Sequence, residues 1–368
     1  MRVEEIELRL VRMPLVSPFA TSFGEEREKE AILVRVQSGD VSGWGECVAG
    51  NEPGFSEEFN DGVWLALREF LAPTILGAGE IDPAEMPSLF ARVRGNRMAK
   101  AALEMAALDA DLRQRGETLA AYLGGRRERV KVGVSVGIQD SVERLVSTVE
   151  DHVKAGYRRI KLKIRPGYDL DPVSSVRAAF PDIPVSVDAN GGYRFPLDVD
   201  TFHALDELDL LMIEQPFHHE DLQDHASLQD QIKTPIALDE SIRSAADARL
   251  ALDLGACKII NIKPGRVGGL LEAAKIHDLA QDRRIHVWCG GMLETGLGRA
   301  ANLALASLPR FTIPGDISAS ARYFEEDLTE PFTLSADGTI ELPKGMGIGV
   351  EPLPQRLEEV TVRSERLA

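Results

Sequence analysis

Five ionisable residues recur at a near-constant interval: Lys163, Asp188, Glu214, Asp239 and Lys263, each 24 to 26 residues after the one before. Each ends a short β-rich run: "IKLKI" (160–164), "VSVDAN" (185–190), "LLMIEQP" (210–216), "IALDES" (236–241) and "CKIINIKP" (257–264). Three carboxylates at equivalent places on neighbouring strands repel one another unless something positive lies between them. A hard divalent ion, Mg2+ above all, suits the all-oxygen set Asp188, Glu214 and Asp239, with water completing the coordination. The alternative is a structural network in which the carboxylates pair with the lysines, and burial makes such a network costly. Lys163 and Lys263 flank the carboxylates. A lysine serves as a base only when its pKa falls toward about 7–8. Lys161 shares a strand face with Lys163 and supplies like-charge repulsion in that direction. If the ion holds a substrate carboxylate, loss of the α-proton gives an enediolate whose second charge the ion stabilises. The set reads as proton abstraction next to a carboxylate.

Such a set needs a scaffold that brings strand ends together. From about residue 130, β-rich runs alternate with amphipathic helical runs such as "SVERLVSTVEDHVKAG", "SAADARLALDLGA" and "LLEAAKIHDLAQD". With "VKVGVSVG" (130–137) and "HVWCGG" (286–291) the strands number seven, and an eighth is expected at "FTIPGD" (311–316). Strand–helix repetition at a steady period predicts parallel βαβ units closed into a barrel. In a parallel barrel the outer strand face lies under helices and the inner face fills the lumen, so neither face of 160–164 meets water. The charged residues then share the C-terminal rim, where barrels carry their chemistry. Ser186, Asn190, Ala237 and Asn261 fall on the same face and leave room for a ligand.

The first 125 residues read as an α+β module. "VEEIELRLVRMPL" and "AILVRVQSGDVSGWGEC" predict three antiparallel strands with a tight turn at Ser38-Gly39-Asp40, and helices follow, notably "RMAKAALEMAALDADLRQ". The expected organisation is a capping domain at 1–125, a barrel at 126–322 and a tail at 323–368. The tail contains "GTIELPKGMGIGV", a hairpin-like segment expected to return to the first module.

A net charge of −17 disfavours nucleic acid or an anionic membrane surface as partner. Cys47, Cys257 and Cys289 are far apart and form no CxxC pair, so neither a disulfide framework nor structural zinc is expected, and a cytoplasmic location fits. The N-terminus alternates like a strand and does not read as a signal peptide. A homo-oligomer is expected, of open number.

The ordered set "KLK", "VDAN", "EQP", "LDES" and "NIKPGRVGG" resembles the enolase superfamily, in its muconate-lactonising-enzyme subgroup, over nearly the whole chain. "WCGGMLETGLGRAANLALASLP", "PGDISAS", "SPFATSFG" and "GNRMAKAALEMAALD" are similar to the branch of o-succinylbenzoate synthases and N-acylamino acid (N-succinylamino acid) racemases. The resemblance implies a (β/α)7β modified TIM barrel beneath an α+β cap built from the N-terminal region and the C-terminal tail. It implies Mg2+ on Asp188, Glu214 and Asp239, with Mn2+ or Co2+ able to substitute. It makes Lys163 and Lys263 the acid/base pair, with Lys161 tuning Lys163. In a racemase one lysine takes the proton and the other returns it on the opposite face. In a synthase Lys163 is both base and acid, and Lys263 stabilises the enediolate.

The substrate, a small succinylated or N-acylated carboxylate, is expected to meet Phe19, Phe23, Ser135, Asn190, Gly290, Met292, Leu293 and Tyr323, with Gly50 and Gly291 nearby. His218 and His219 read as a loop past the rim with a solvated or subunit-contact role rather than as metal ligands, and Trp44 and Glu46 as hairpin and core. The same pattern also admits a dipeptide epimerase or a muconate cycloisomerase-like enzyme. The epimerase needs an acidic pair for a substrate ammonium, which "CGGM" does not supply. Outside the family, a Schiff-base aldolase and a non-catalytic binding barrel are the alternatives.

Overall fold

A computed structural model describes residues 1–20 and 24–368. The chain opens with three antiparallel strands, β1 (Glu5–Ala20), β2 (Glu25–Ser38) and β3 (Val41–Cys47), with Gly39 taking a positive φ in the turn between the last two. Residues of β2 alternate sharply. Ile32, Val34 and Val36 join the core under the cap helices, while Ala31 and Leu33 join the core that runs on into the barrel. The helix Arg97–Arg115 packs its alanine-rich face on β3 and ends at Gly116 in the left-handed region. "GWGEC" permits this approach, because a Cβ at Gly43 or Gly45 would collide with the backbone of Ala102, Ala106 or Ala110.

Two short strands follow, β4 (Arg129–Lys131) and β5 (Val134–Val136), where one continuous strand was expected. The break falls at Val132-Gly133, and a Cβ at Gly133 would strike the buried Arg159 guanidinium, 2.6 Å from Nε. The parallel strands continue as β6 (Ile160–Lys163), β7 (Val185–Asp188), β8 (Ile213–Glu214), β9 (Ile236–Leu238), β10 (Ile259–Ile262) and β11 (His286–Cys289). They form one seven-stranded sheet in sequence order from β5 to β11. The expected eighth strand does not form as a ladder. Residues 311–316 instead bridge both edges: Thr312 N–H donates to Val287 at 3.3 Å, Asp316 N–H to Cys289 at 2.9 Å, and Gly315 accepts from Gly133 at 2.7 Å. The ring therefore closes through an irregular segment. Met212, Ala237, Ile259 and Trp288 cluster as a separate small core.

The tail differs from a hairpin. β12 (Thr339–Glu341) pairs with β4, and β13 (Thr361–Leu367) adds an edge to the cap sheet beside β1. Carboxylates of the cap also end barrel helices. Glu46 accepts from Thr295 N–H at 3.0 Å and Gly298 N–H at 2.8 Å, at the start of helix Gly296–Ala306. Glu104 accepts from Leu271 N–H at 3.1 Å, at the start of helix Leu270–Asp282. Both satisfy amide donors that a helix N-terminus leaves free. Glu46 is thus a tie between cap and barrel rather than only a hairpin residue. Among the described residues, no helix is long and apolar enough to cross a membrane.

Candidate active site

The sheet register sets the first layer. Lys163 lies opposite Asp188, and Asp188 opposite Glu214, so three strand ends meet side by side. Asp239 and Lys263 stand one residue beyond β9 and β10. Gln215, at a positive φ, accepts from the backbone N–H of Asp239 at 3.1 Å and of Ser241 at 3.3 Å, which fixes that strand end. All five ionisable side chains are buried.

Each carboxylate is met by at least one cation, and Lys161 is shared among three of them. Lys163 Nζ lies 2.7 Å from Asp188 and donates to Asn190 Oδ1 at 2.7 Å. Lys161 Nζ lies 3.0 Å from Asp188, 2.9 Å from Glu214 and 2.7 Å from Asp316. Lys263 Nζ lies 2.8 Å from Asp239, which also takes the Arg266 guanidinium. Asn261 donates to Glu214 at 2.8 Å, and Asn190 to Glu240 at 2.9 Å. Behind Lys161, Arg159 pairs with Asp316 at 2.8 Å, and both cations lie over the Trp288 ring, 5.0 Å and 4.8 Å from its centroid.

Burial alone would lower Lys161, but Asp316, Glu214 and Asp188 outweigh it and hold its ammonium well above the ordinary range. Burial also works against the Asp188 carboxylate, yet Lys163 and Lys161 together keep it well below the usual range. Burial and repulsion from Asp188 push Glu214 up, and Glu240 likewise. Lys263 is lowered by burial and by repulsion from Lys161, ahead of the opposing pull of Glu240, Glu214 and Asp188. Lys161 thus also repels Lys263.

The carboxylates suit a hard cation. Every donor is oxygen, all are buried, and two further buried oxygens beside them, Glu240 Oε2 and Asn261 Oδ1, have no hydrogen-bond partner among the described residues. A purely structural network leaves those two oxygens unexplained. The charges also suit a carboxylate ligand. Asp188, Glu214, Asp239, Glu240 and Asp316 balance Lys161, Lys163, Lys263, Arg159 and Arg266, so a divalent ion makes the set net positive. The one trio of described His, Cys, Asp or Glu residues with ligand atoms all within 4.8 Å of one another is His218, His219 and Glu220, on a largely exposed loop.

A cavity of about 530 Å³ opens above the lysines. It is lined by Phe19, Ser135, Asn190, Met292, Leu293 and Tyr323 from the expected set, and by Gly50 and Gly291. Ser135 Oγ is buried without a partner among the described residues. Phe19 meets Tyr323 edge to face at 6.4 Å. Gly290 lies off the lining. It backs Lys263, whose Cε would sit 2.6 Å from a Cβ there. Phe23 lies outside the described residues. Asp316, Glu240, Arg266 and the cap residue Lys29 also belong to this region and were not singled out from the sequence. Three of them had a signal: Asp316, Glu240 and Arg266 sit inside "PGDISAS", "LDES" and "NIKPGRVGG".

Comparison with known proteins gives a consistent result. Residues 5–124 match the mandelate racemase / muconate lactonizing enzyme N-terminal domain, and residues 144–356 match the enolase C-terminal domain-like family. An N-succinylamino acid racemase from Amycolatopsis sp is 52% identical over 362 residues, covering 98% of each chain. An o-succinylbenzoate synthase from Geobacillus kaustophilus is 50% identical, covering 98% of this chain and 96% of that one. A crystal structure of an enolase superfamily member from Listeria innocua superposes with a TM-score of 0.96 at 41% identity, covering 100% of this chain and 99% of that one.

Proposed function

The chain belongs to the enolase superfamily, and from that premise we propose a Mg2+-dependent enzyme that removes the proton α to a carboxylate. Its reactions are o-succinylbenzoate synthesis by dehydration, N-succinyl- or N-acylamino acid racemisation, or both on one site. The carrying observation is that Lys163 and Lys263 line one cavity, on strands four positions apart in the ring, with the three carboxylates on the strand ends between them.

Asp188, Glu214 and Asp239 would hold Mg2+, with Mn2+ or Co2+ as substitutes. The bound ion supplies positive charge beside the substrate carboxylate, where a second negative charge develops. Lys263, lowered by burial and by Lys161, is suited to hold or release a proton on one face of the α-carbon. Lys163, anchored by Asp188 and Asn190, serves the other face. Lys161 stays charged among its three carboxylates and acts as a fixed positive field rather than a base. Arg266 holds Asp239 and the Ile242 and Asn261 carbonyls together, which fixes the carboxylate nearest Lys263.

The loop after β11 favours an acyl group over an ammonium. Gly291, Met292 and Leu293 line the cavity, while Glu294 accepts from Met292 N–H at 2.9 Å and from Asn302 at 2.8 Å. No acidic pair is offered there to a dipeptide amine. The proposed division is a cap at 1–125, a barrel at 126–322 and a tail at 323–368, supported by the pairing of β13 with β1.

The test is incubation in D2O with a panel of N-succinyl and N-acyl amino acids, with Mg2+ or with EDTA, beside a dehydration assay. Metal-dependent α-deuteration or dehydration is expected. Neither reaction with Mg2+ present would overturn the reading.

A further inference from the structure

Strand alternation in β2 places Lys29 on the face of Ala31 and Leu33, which looks toward the barrel mouth. Lys29 lies opposite Met13 in the sheet and is only 4% exposed. Glu30 beside it reaches Arg12 at 2.6 Å, and although Glu25, Glu28, Glu52 and Glu58 also line the cavity, among the described residues none of them comes within ion-pair distance of Lys29. Among the described residues Lys29 Nζ has one partner, the Val48 carbonyl at 3.3 Å, and it forms no ion pair. The residues outside the described set, Thr21, Ser22 and Phe23, contain no carboxylate. A buried ammonium with a single long hydrogen bond to a neutral acceptor is costly unless an anion joins it. Lys29 lines the same cavity as Lys161, Lys163 and Lys263, from the cap side. The three barrel lysines are matched by carboxylates of the chain, and Lys29 is not.

We propose that Lys29 receives a second carboxylate of the substrate, at the end remote from the reacting carbon, and so selects dicarboxylates over otherwise equal substrates with a neutral tail. This rests on the α-proton reading above. That reading puts the first carboxylate at the strand ends, which leaves the cap wall for the tail. An N-succinyl amino acid carries such a second carboxylate, and its N-butanoyl counterpart has a methyl group in the same place. A charge-assisted hydrogen bond of this kind corresponds to a preference of roughly 10- to 100-fold.

Calorimetric titration of the Mg2+-loaded protein with N-succinyl-valine and N-butanoyl-valine tests this. The wild type should bind the succinyl compound at least about 10-fold more tightly. Lys29→Met should erase that difference and leave butanoyl binding within about threefold, while Lys29→Arg should keep most of it. If Lys29→Met does not fold, as judged by circular dichroism, Lys29→Gln takes its place with the same expectation. A wild type without preference, or a preference that survives loss of the ammonium, overturns the proposal. An equal loss on both ligands, reporting only a structural lysine, does so too. Deuterium exchange in the same samples separates the two claims. A wild type that shows neither exchange nor dehydration but still prefers the succinyl ligand sinks the catalytic reading and leaves the Lys29 contact standing. Exchange intact with an unmoved preference sinks Lys29 alone.

Discussion

Glu104 joins the cap helix Arg97–Arg115 to the barrel helix Leu270–Asp282, and its replacement by glutamine gives a pH-dependent outcome. Burial pushes its carboxyl up from 4.5 to about 7, and the bonds from the Leu271 and Leu270 amides recover only part of that cost. The folded state therefore holds a proton that the unfolded chain has released at intermediate pH. Stability from this group is full below about 4.5 and is lost as pH rises through about 7. At about 1.4 kcal/mol per pH unit, the loss amounts to about 3 kcal/mol at pH 8.5. Glutamine keeps an oxygen for Leu271 N–H and never ionises. Glu104→Gln should thus be about 3 kcal/mol more stable than the parent at pH 8.5 and within about 1 kcal/mol of it at pH 5, read by urea denaturation. A variant destabilised at pH 8.5 would instead mean that the helix N-terminus holds an ionised carboxylate that contributes stability, so that attraction to the helix end outweighs burial.

Mg2+ at about 100 times its Kd should stabilise the wild type by about 2.7 kcal/mol in a thermal shift, and Asp188→Asn, Glu214→Gln or Asp239→Asn should each abolish most of that gain. Asp316→Asn leaves the fully buried Arg159 without its carboxylate, so a loss of about 3–5 kcal/mol in denaturant unfolding is expected. Cys47, Cys257 and Cys289 are buried, and burial pushes Cys257 up to about 12 and the other two upward as well. A thiol reagent at pH 8 should label none of them in the folded protein and all three in denaturant.

The central charges were legible because one strand–helix unit takes about 25 residues, so Lys163 through Lys263 announced a common rim by spacing alone. Asp316 was marked only by its "PGDISAS" motif and not by spacing, because its segment carries Pro314 and Gly315 and closes the ring through isolated bridges rather than an alternating strand. Lys29 sits in "EEREKE", where every residue is charged and no apolar alternation marks a buried face. Its burial depends on which face of β2 meets the barrel, and long-range packing decides that. The same holds for β13: "TVRSERL" carries no core pattern and becomes a strand only because β1 offers it an edge. The surroundings of Lys161 were only partly legible: the sequence put it beside Lys163, but three carboxylates from three other segments hold its charge, and it also repels Lys263.

In the proposed mechanism two lysines address opposite faces of one carbon acid. The direct measurement is α-deuterium exchange of separate L- and D-N-succinyl amino acids by Lys163→Ala and Lys263→Ala with Mg2+ present. Racemisation should fall by about 100- to 10,000-fold in both variants. Each variant should still exchange one enantiomer, and the two variants should retain opposite ones. Retention of the same enantiomer by both, or full racemisation by either, would contradict the account.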